Sequence, residues 1–268
     1  MSLLAVALGV VYAPVFAELV RDWGRDPNYS HGYLIPPIAA YLIWKNRGEL
    51  LRTPRAPWGP GVAGIVLAGA MLVLGTAGAE VFTQRVSVLV LAAAVVVFLA
   101  GWRWLARLAF PLAFLLLAIP LPYVVYFGLT QPLQGIAARF AVLGMHGVGI
   151  LAVGEGNMIH LPGTSLEVAE ACSGIRSLYA FLALGALFAR SLPVGPWAKG
   201  AVFLLTIPLS VLGNSVRVWG TGVGVHVVGP QMAVGWVHEF FGLIVFAVSL
   251  VVLVVAGKGV RAVWSSAR

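Results

Sequence analysis

Apolar residues fall in long runs along the chain, broken by short polar stretches, and the runs recur at about the 20-residue length an α-helix needs to cross a hydrocarbon core. They predict spans near residues 2–20, 31–45, 60–79, 86–102, 107–128, 176–190, 197–220 and 239–257, eight in all. The pattern is that of an all-α, polytopic transmembrane bundle, a single integral domain over residues 1–268. Residues 129–152 also form an apolar stretch, but Gln131, Gln134, Arg139 and His146 interrupt it, and each is costly in lipid. That stretch is expected to lie along the outer interface as an amphipathic or re-entrant segment. Near 156–168, β-branched residues and a turn signal predict a short hairpin outside the membrane.

Composition agrees with the pattern. Hydrophobic residues make up 60% of the chain and charged residues 10%, with a mean hydropathy of +0.97, which excludes an ordinary soluble domain. The N-terminal run lacks a basic leader and a small-residue cleavage site, so it reads as retained.

The net charge of +8 resides in short connections and not in one stripe, which argues for membrane orientation over nucleic-acid binding. Lys45, Arg47, Arg52 and Arg55 follow the second run, Arg103 and Arg107 the fourth, Arg190 and Lys199 the sixth, and Lys258, Arg261 and Arg268 the last. By the positive-inside rule these connections and both termini lie in the cytoplasm. The connections around 21–30, 80–85, 129–175 and 221–238 then face outward.

Ionisable residues in or beside apolar spans mark function by default, and three stand out at one predicted membrane level. Cys172 opens the sixth span in VAEACSGIRSLYAF, Arg217 lies toward the outer end of the seventh, and His238 stands at the entrance to the eighth. A lone cysteine forms no intrachain disulfide, which leaves an inert thiol or a reactive one. Its neighbours Glu170, Ser173, Gly174 and Arg176 favour a reactive thiol, because free backbone N–H groups and a nearby cation stabilise a thiolate.

His238 titrates near neutral pH and suits proton transfer, while an interfacial histidine satisfied by water is the plain alternative. Arg217 stays charged, so its role is electrostatic: holding an oxyanion, steadying the thiolate, or clamping a substrate carboxylate or carbonyl. Asn214, three residues earlier, shares its helix face. The five histidines have no metal-ligand spacing, and no P-loop, GxSxG or dinucleotide fingerprint is present, so no metal or cofactor is expected.

At these positions the chain resembles the exosortase family, the bacterial branch of the exosortase and archaeosortase membrane transpeptidases. The resemblance rests on AEACSGIRSL at 169–178, PLSVLGNSVR at 208–217 and HEFFG at 238–242, together with DPNYSHG at 26–32 and IPLP at 119–122. It implies Cys172 as nucleophile, Arg217 as essential cation and His238 as the acid/base residue. It also implies exported protein substrates with a C-terminal sorting signal: a motif such as Pro-Glu-Pro, a transmembrane helix and a basic tail. The lipid bilayer is the other partner and nucleic acid is none.

Tyr29 and His31 either shape the same outer cavity or form a plain interfacial loop. Glu170 is a substrate-channel or histidine-orienting group, or equally a carboxylate favoured at a helix start. The competing functions are a transporter whose polar pathway Arg217 and His238 line, and a non-catalytic export scaffold.

Overall fold

The computed structural model describes residues 2–168 and 174–266. It is 81% helical, an all-α membrane bundle whose described residues form ten α-helices and one small sheet. They group into two compact units, Met1–Pro122 and Tyr123–Arg268.

The first unit holds α1 (Ser2–Arg25), α2 (Ile35–Lys45), α3 (Arg47–Arg52), α4 (Gly61–Ala77), α5 (Val81–Ala100) and α6 (Trp102–Leu115). Between α1 and α2 runs a 3₁₀ segment, Pro27–Tyr33, started by Asp26, whose carboxylate accepts from the Asn28 N–H at 2.8 Å. α4 and α5 form an antiparallel hairpin pressed together through small residues. A Cβ at Gly61 would lie 2.6 Å from the Phe98 nitrogen, and one at Gly64 would lie 2.8 Å from the Ala94 Cβ. Such close approach is how helices associate in lipid, where apolar burial gives no driving force. Glu80 caps α5 by accepting from the N–H groups of Phe82 and Thr83.

Polar side chains tie α1 to α5. The buried Arg85 donates to Asp22 at 2.6 Å, and the hydroxyls of Tyr12 and Ser87 stand 3.1 Å apart.

The second unit comprises α7 (Tyr123–Gly147), a three-stranded antiparallel meander of β1 (Val153–Glu155), β2 (Met158–Leu161) and β3 (Thr164–Glu167), then α8 (Ile175–Ser191), α9 (Pro196–Val227) and α10 (Gly235–Ser266). α9 is the central element, packed against α7, α8 and α10. One core forms where Ala137, Ala141 and Met145 of α7 meet Val218 and Val225 of α9, with Ile159 of the sheet laid over them. A second gathers Phe181 of α8, Val202 of α9 and Leu253 of α10.

Among the described residues three helices are long and apolar enough to cross a membrane alone: α5, α9 and α10 over Gly235–Val263. A fourth is counted if the broken pair Trp102–Ala118 and Tyr123–Gly147 is one span. By length and composition the described helices therefore do not reach the expected eight. α2 has 11 residues and spans only about 17 Å at 1.5 Å per residue, while α4 and α8 have 17 residues each.

Two boundaries differ from the sequence reading. The run at 107–128 is not continuous: α6 stops at Leu115, and Pro120 and Pro122 stand in the break before a new helix at Tyr123. The stretch from 129 continues α7, which runs from Tyr123 to Gly147 and with Trp102–Ala118 makes either a broken span or a re-entrant loop. Its polar residues divide by face, with Thr130 and Gln134 buried and Gln131 and Arg139 exposed. The hairpin expected at 156–168 is present as β2 and β3, with β1 added at its edge.

Candidate active site

The site is built on one face of α9 and the start of α10. On α9, Ser210, Gly213, Asn214, Arg217 and Thr221 recur at helical spacing, and on α10 His238, Gly242, Val245 and Ser249 do the same. The two faces are set close by glycines. A Cβ at Gly213 would stand 2.6 Å from the Ser249 Oγ, and one at Gly242 would stand 2.6 Å from Nε and 2.8 Å from Cζ of Arg217. Gly242 is thus the floor on which the guanidinium rests. Any larger residue would occupy the cation's place.

Arg217 has only 16% of its side chain exposed, and its Nε makes no hydrogen bond. Its ion-pair neighbour is Glu239, at 3.9 Å from the guanidinium and 64% exposed. That separation is too long for a hydrogen bond, so the carboxylate offsets the charge without fixing it. His238 is buried at 8% exposure, and its Nδ1 lies 3.2 Å from the Thr221 hydroxyl. Thr221 fixes the ring's orientation, and the charges of Arg217 and Glu239 act on it. When Nδ1–H donates to Thr221, Nε2 keeps its lone pair and can accept a proton.

α8 brings a third wall. Gly174 precedes it with a φ of +83°, a left-handed conformation that glycine adopts without strain, and lies so close to Asn214 that a Cβ would stand 2.8 Å from its Cγ. The Ser177 hydroxyl donates to the Gly174 carbonyl at 2.8 Å. Between α8, α9 and α10 opens a cavity of about 220 Å³ lined by Gly174, Arg176, Ser177, Arg217, Glu239 and Gly242. A narrower pocket of about 30 Å³ continues inward past Ser210, Asn214 and Ser249, and Arg217 lines both.

Of the residues singled out in the sequence, Arg217, His238, Asn214 and Arg176 gather in the second unit around these cavities, although His238 is not among the residues lining them. Cys172, Glu170 and Ser173 lie outside the described residues. Tyr29 and His31 belong to the first unit. Tyr29 is buried, and the His31 Nε2 lies 3.0 Å from the Leu117 carbonyl oxygen. Burial holds the His31 pKa below its ordinary value, against the raising effect of the ring's hydrogen bonds to the backbone of Leu117 and Asn28.

Sequence reasoning passed over Thr221, Glu239, Gly242 and Ser177. Two of them carried a signal: Gly242 stands four residues after His238 and Thr221 four after Arg217, so each extends a polar face already begun.

The family model for the transmembrane exosortase family (Exosortase_EpsH) matches residues 23–255. The chain belongs to that family. The match runs from the last three residues of α1 to within α10 and so takes in every residue of the α8–α10 cluster. No curated protein and no solved structure matches this exosortase. Family membership makes it a membrane protein and suggests a transpeptidase.

Proposed function

We propose that this exosortase is a membrane cysteine transpeptidase or peptidase that cuts C-terminal sorting signals from exported proteins. The observation that carries the reading is the cluster itself: a confined cation, Arg217, and an oriented imidazole, His238, beside a cavity whose wall at Gly174 is two residues after Cys172 in the chain. A thiol nucleophile, a base and an electrophilic stabiliser are the three parts that acyl transfer needs.

In this mechanism His238 Nε2 takes the Cys172 proton, and the thiolate attacks the carbonyl carbon of the scissile peptide. Arg217 stabilises the tetrahedral oxyanion. The C–N bond then breaks, and His238 returns the proton to the leaving amine. The resulting thioester is attacked by water or by an acceptor amine or hydroxyl, which releases the Cys172 thiol. Thr221 keeps Nδ1 occupied and so directs Nε2 toward the chemistry. Asn214, which lines the inner pocket, supports the substrate, and supporting roles are likewise assigned to Glu170 and Ser173 from their places beside Cys172 in the chain.

The substrate is a chain with a recognition motif, one transmembrane helix and a basic tail, which docks its helix beside the enzyme. The basic connections support an eight-segment topology in the inner membrane with both termini cytoplasmic and the site facing the periplasm.

The test is processing, in membranes, of a reporter carrying such a tail, with wild type and Cys172→Ala at equal abundance. Trimming by wild type with uncut reporter in the variant is the expected result. Equal trimming by both removes Cys172 as the nucleophile, and solute flux that survives the substitution favours a transporter.

A further inference from the structure

Where the apolar helix α5 ends at Ala100, the chain turns through Gly101 and enters α6 with charge close at hand. Arg103 and Arg107 stand four residues apart on one face of α6, and with Glu49 and Arg52 of α3 they line a cavity of about 510 Å³ within the first unit. The segment that joins α3 to α4 is fastened to this corner. The Ala56 N–H donates to the Ala100 carbonyl at 3.1 Å, the Trp58 N–H to Val97 at 3.3 Å, and the Trp104 Nε1 to the Thr53 carbonyl at 3.0 Å. Gly101 turns with a φ of +87° and leaves no room for a Cβ against the Ala56 carbonyl. The cavity walls are therefore held by hydrogen bonds and close packing, not by the charges that line them.

Those charges are unbalanced. Glu49 accepts from Arg107 at 2.6 Å, while Arg52 and Arg103 make no ion pair among the described residues. Glu49 is the one acidic residue between Asp26 and Glu80, so three guanidinium groups against one carboxylate leave the lining at +2. The cavity also has a defined height. α5 is long and apolar enough to cross a hydrocarbon core, and its end marks the headgroup level, where Trp44, Trp58 and Trp102 are exposed as in an interfacial aromatic belt.

We propose that this cavity is a phospholipid site, in which Arg52, Arg103 and Arg107 hold the phosphodiester of an anionic headgroup. Its volume falls within the roughly 300–1,000 Å³ of small-molecule sites. Phosphate oxygens match the planar fork of a guanidinium, and a basic pocket beside membrane helices at the headgroup level meets such lipids at high local concentration. Acyl chains of a bound lipid then run along the exposed apolar surface of the α4–α5 hairpin, where Val62, Val66 and Leu99 lie open. Glu49 occupies Arg107 in part, which leaves Arg52 and Arg103 as the principal phosphate ligands. The proposal does not rest on the peptidase reading, and Cys172 has no part in it.

The experiment uses the full-length protein in dodecyl maltoside and compares dihexanoyl-phosphatidylglycerol with dihexanoyl-phosphatidylcholine in a binding titration at low salt. The anionic lipid is expected to bind at least about tenfold more tightly, as one charge-assisted pair gives. Arg52→Gln or Arg103→Gln should each cut that preference severalfold, and the double variant should bring it near unity. Both side chains are exposed, so unfolding without lipid should be unchanged, and the single variants carry the test if the double one does not fold. Glu49→Gln should tighten binding of the anionic lipid. Lys258→Gln, the same loss of charge near the end of α10, should leave the preference intact.

Equal binding of the two lipids, no measurable binding of either, a preference that survives both arginine substitutions, or an equal loss in Lys258→Gln each overturns the proposal. Displacement by inorganic phosphate or glycerophosphoglycerol at a concentration no higher than that of the lipid also overturns it, and assigns the cavity to a soluble phosphate compound.

Discussion

Replacing Gly242 by alanine adds a single methyl group, and the structure places that methyl 2.6 Å from Nε and 2.8 Å from Cζ of Arg217. Non-bonded heavy atoms settle at about 3.5 Å or more, so the guanidinium must move by roughly 1 Å. It has room to do so only toward the cavity and Glu239, because the Arg217 side chain is already confined to 16% exposure. If Arg217 holds the oxyanion as proposed, a displacement of about 1 Å costs on the order of a hundredfold in rate.

The fold should not suffer. Alanine is the better helix former by about 0.8–1 kcal/mol, which offsets the local crowding. Gly242→Ala is therefore expected to lower reporter processing about ten- to a hundredfold at unchanged abundance and unchanged thermal unfolding. Gly200→Ala, on α9 with nothing within 4 Å of its added Cβ, serves as the control and should process normally. Processing at the wild-type rate by Gly242→Ala would show that Arg217 need not sit on Gly242, and would refute the assignment of that glycine. Loss of protein rather than of rate would refute the claim that the effect is local.

Thr221→Val removes the hydroxyl that faces His238 Nδ1 while keeping the side-chain shape, and one neutral hydrogen bond of about 1 kcal/mol predicts a fivefold or so loss of processing rate, restored by Thr221→Ser. Its pH–rate profile should shift as well, which a purely structural substitution would not produce. Asp22→Asn leaves the buried Arg85 without its carboxylate. Because Asp22 keeps 40% of its side chain exposed, the expected loss of stability is about 2 kcal/mol, below the 3–5 of a fully buried pair, measured by unfolding in detergent.

His31 binds its proton less readily in the folded chain than in the unfolded one. As pH falls below the ordinary value near 6.5 and through the depressed folded value, the unfolded state gains protons first and stability declines. His31→Gln should flatten that part of the stability–pH curve, and an unchanged slope would refute the burial argument.

Much of this exosortase is determined locally. The apolar runs determine that it is a helical membrane protein, and Pro120 and Pro122 forbid helix at the end of α6, a break legible in IPLP that run length alone obscured. The turn signal at 156–168 determines the hairpin, and the three-residue spacing puts Asn214 and Arg217 on one face. These features follow from neighbouring residues, whose spacing decides which backbone conformation and helix face they take.

Only the tertiary structure decides which polar residues of separate helices meet. A threonine in an apolar helix ordinarily bonds its own backbone, so nothing in the α9 sequence marks Thr221 as the partner of His238. Gly242 reads as one more small packing residue, and its meaning as the floor under Arg217 depends on how closely α9 and α10 approach. That approach is a sum of van der Waals contacts along two helices, a property of their shared surface that neither helix's residue order contains.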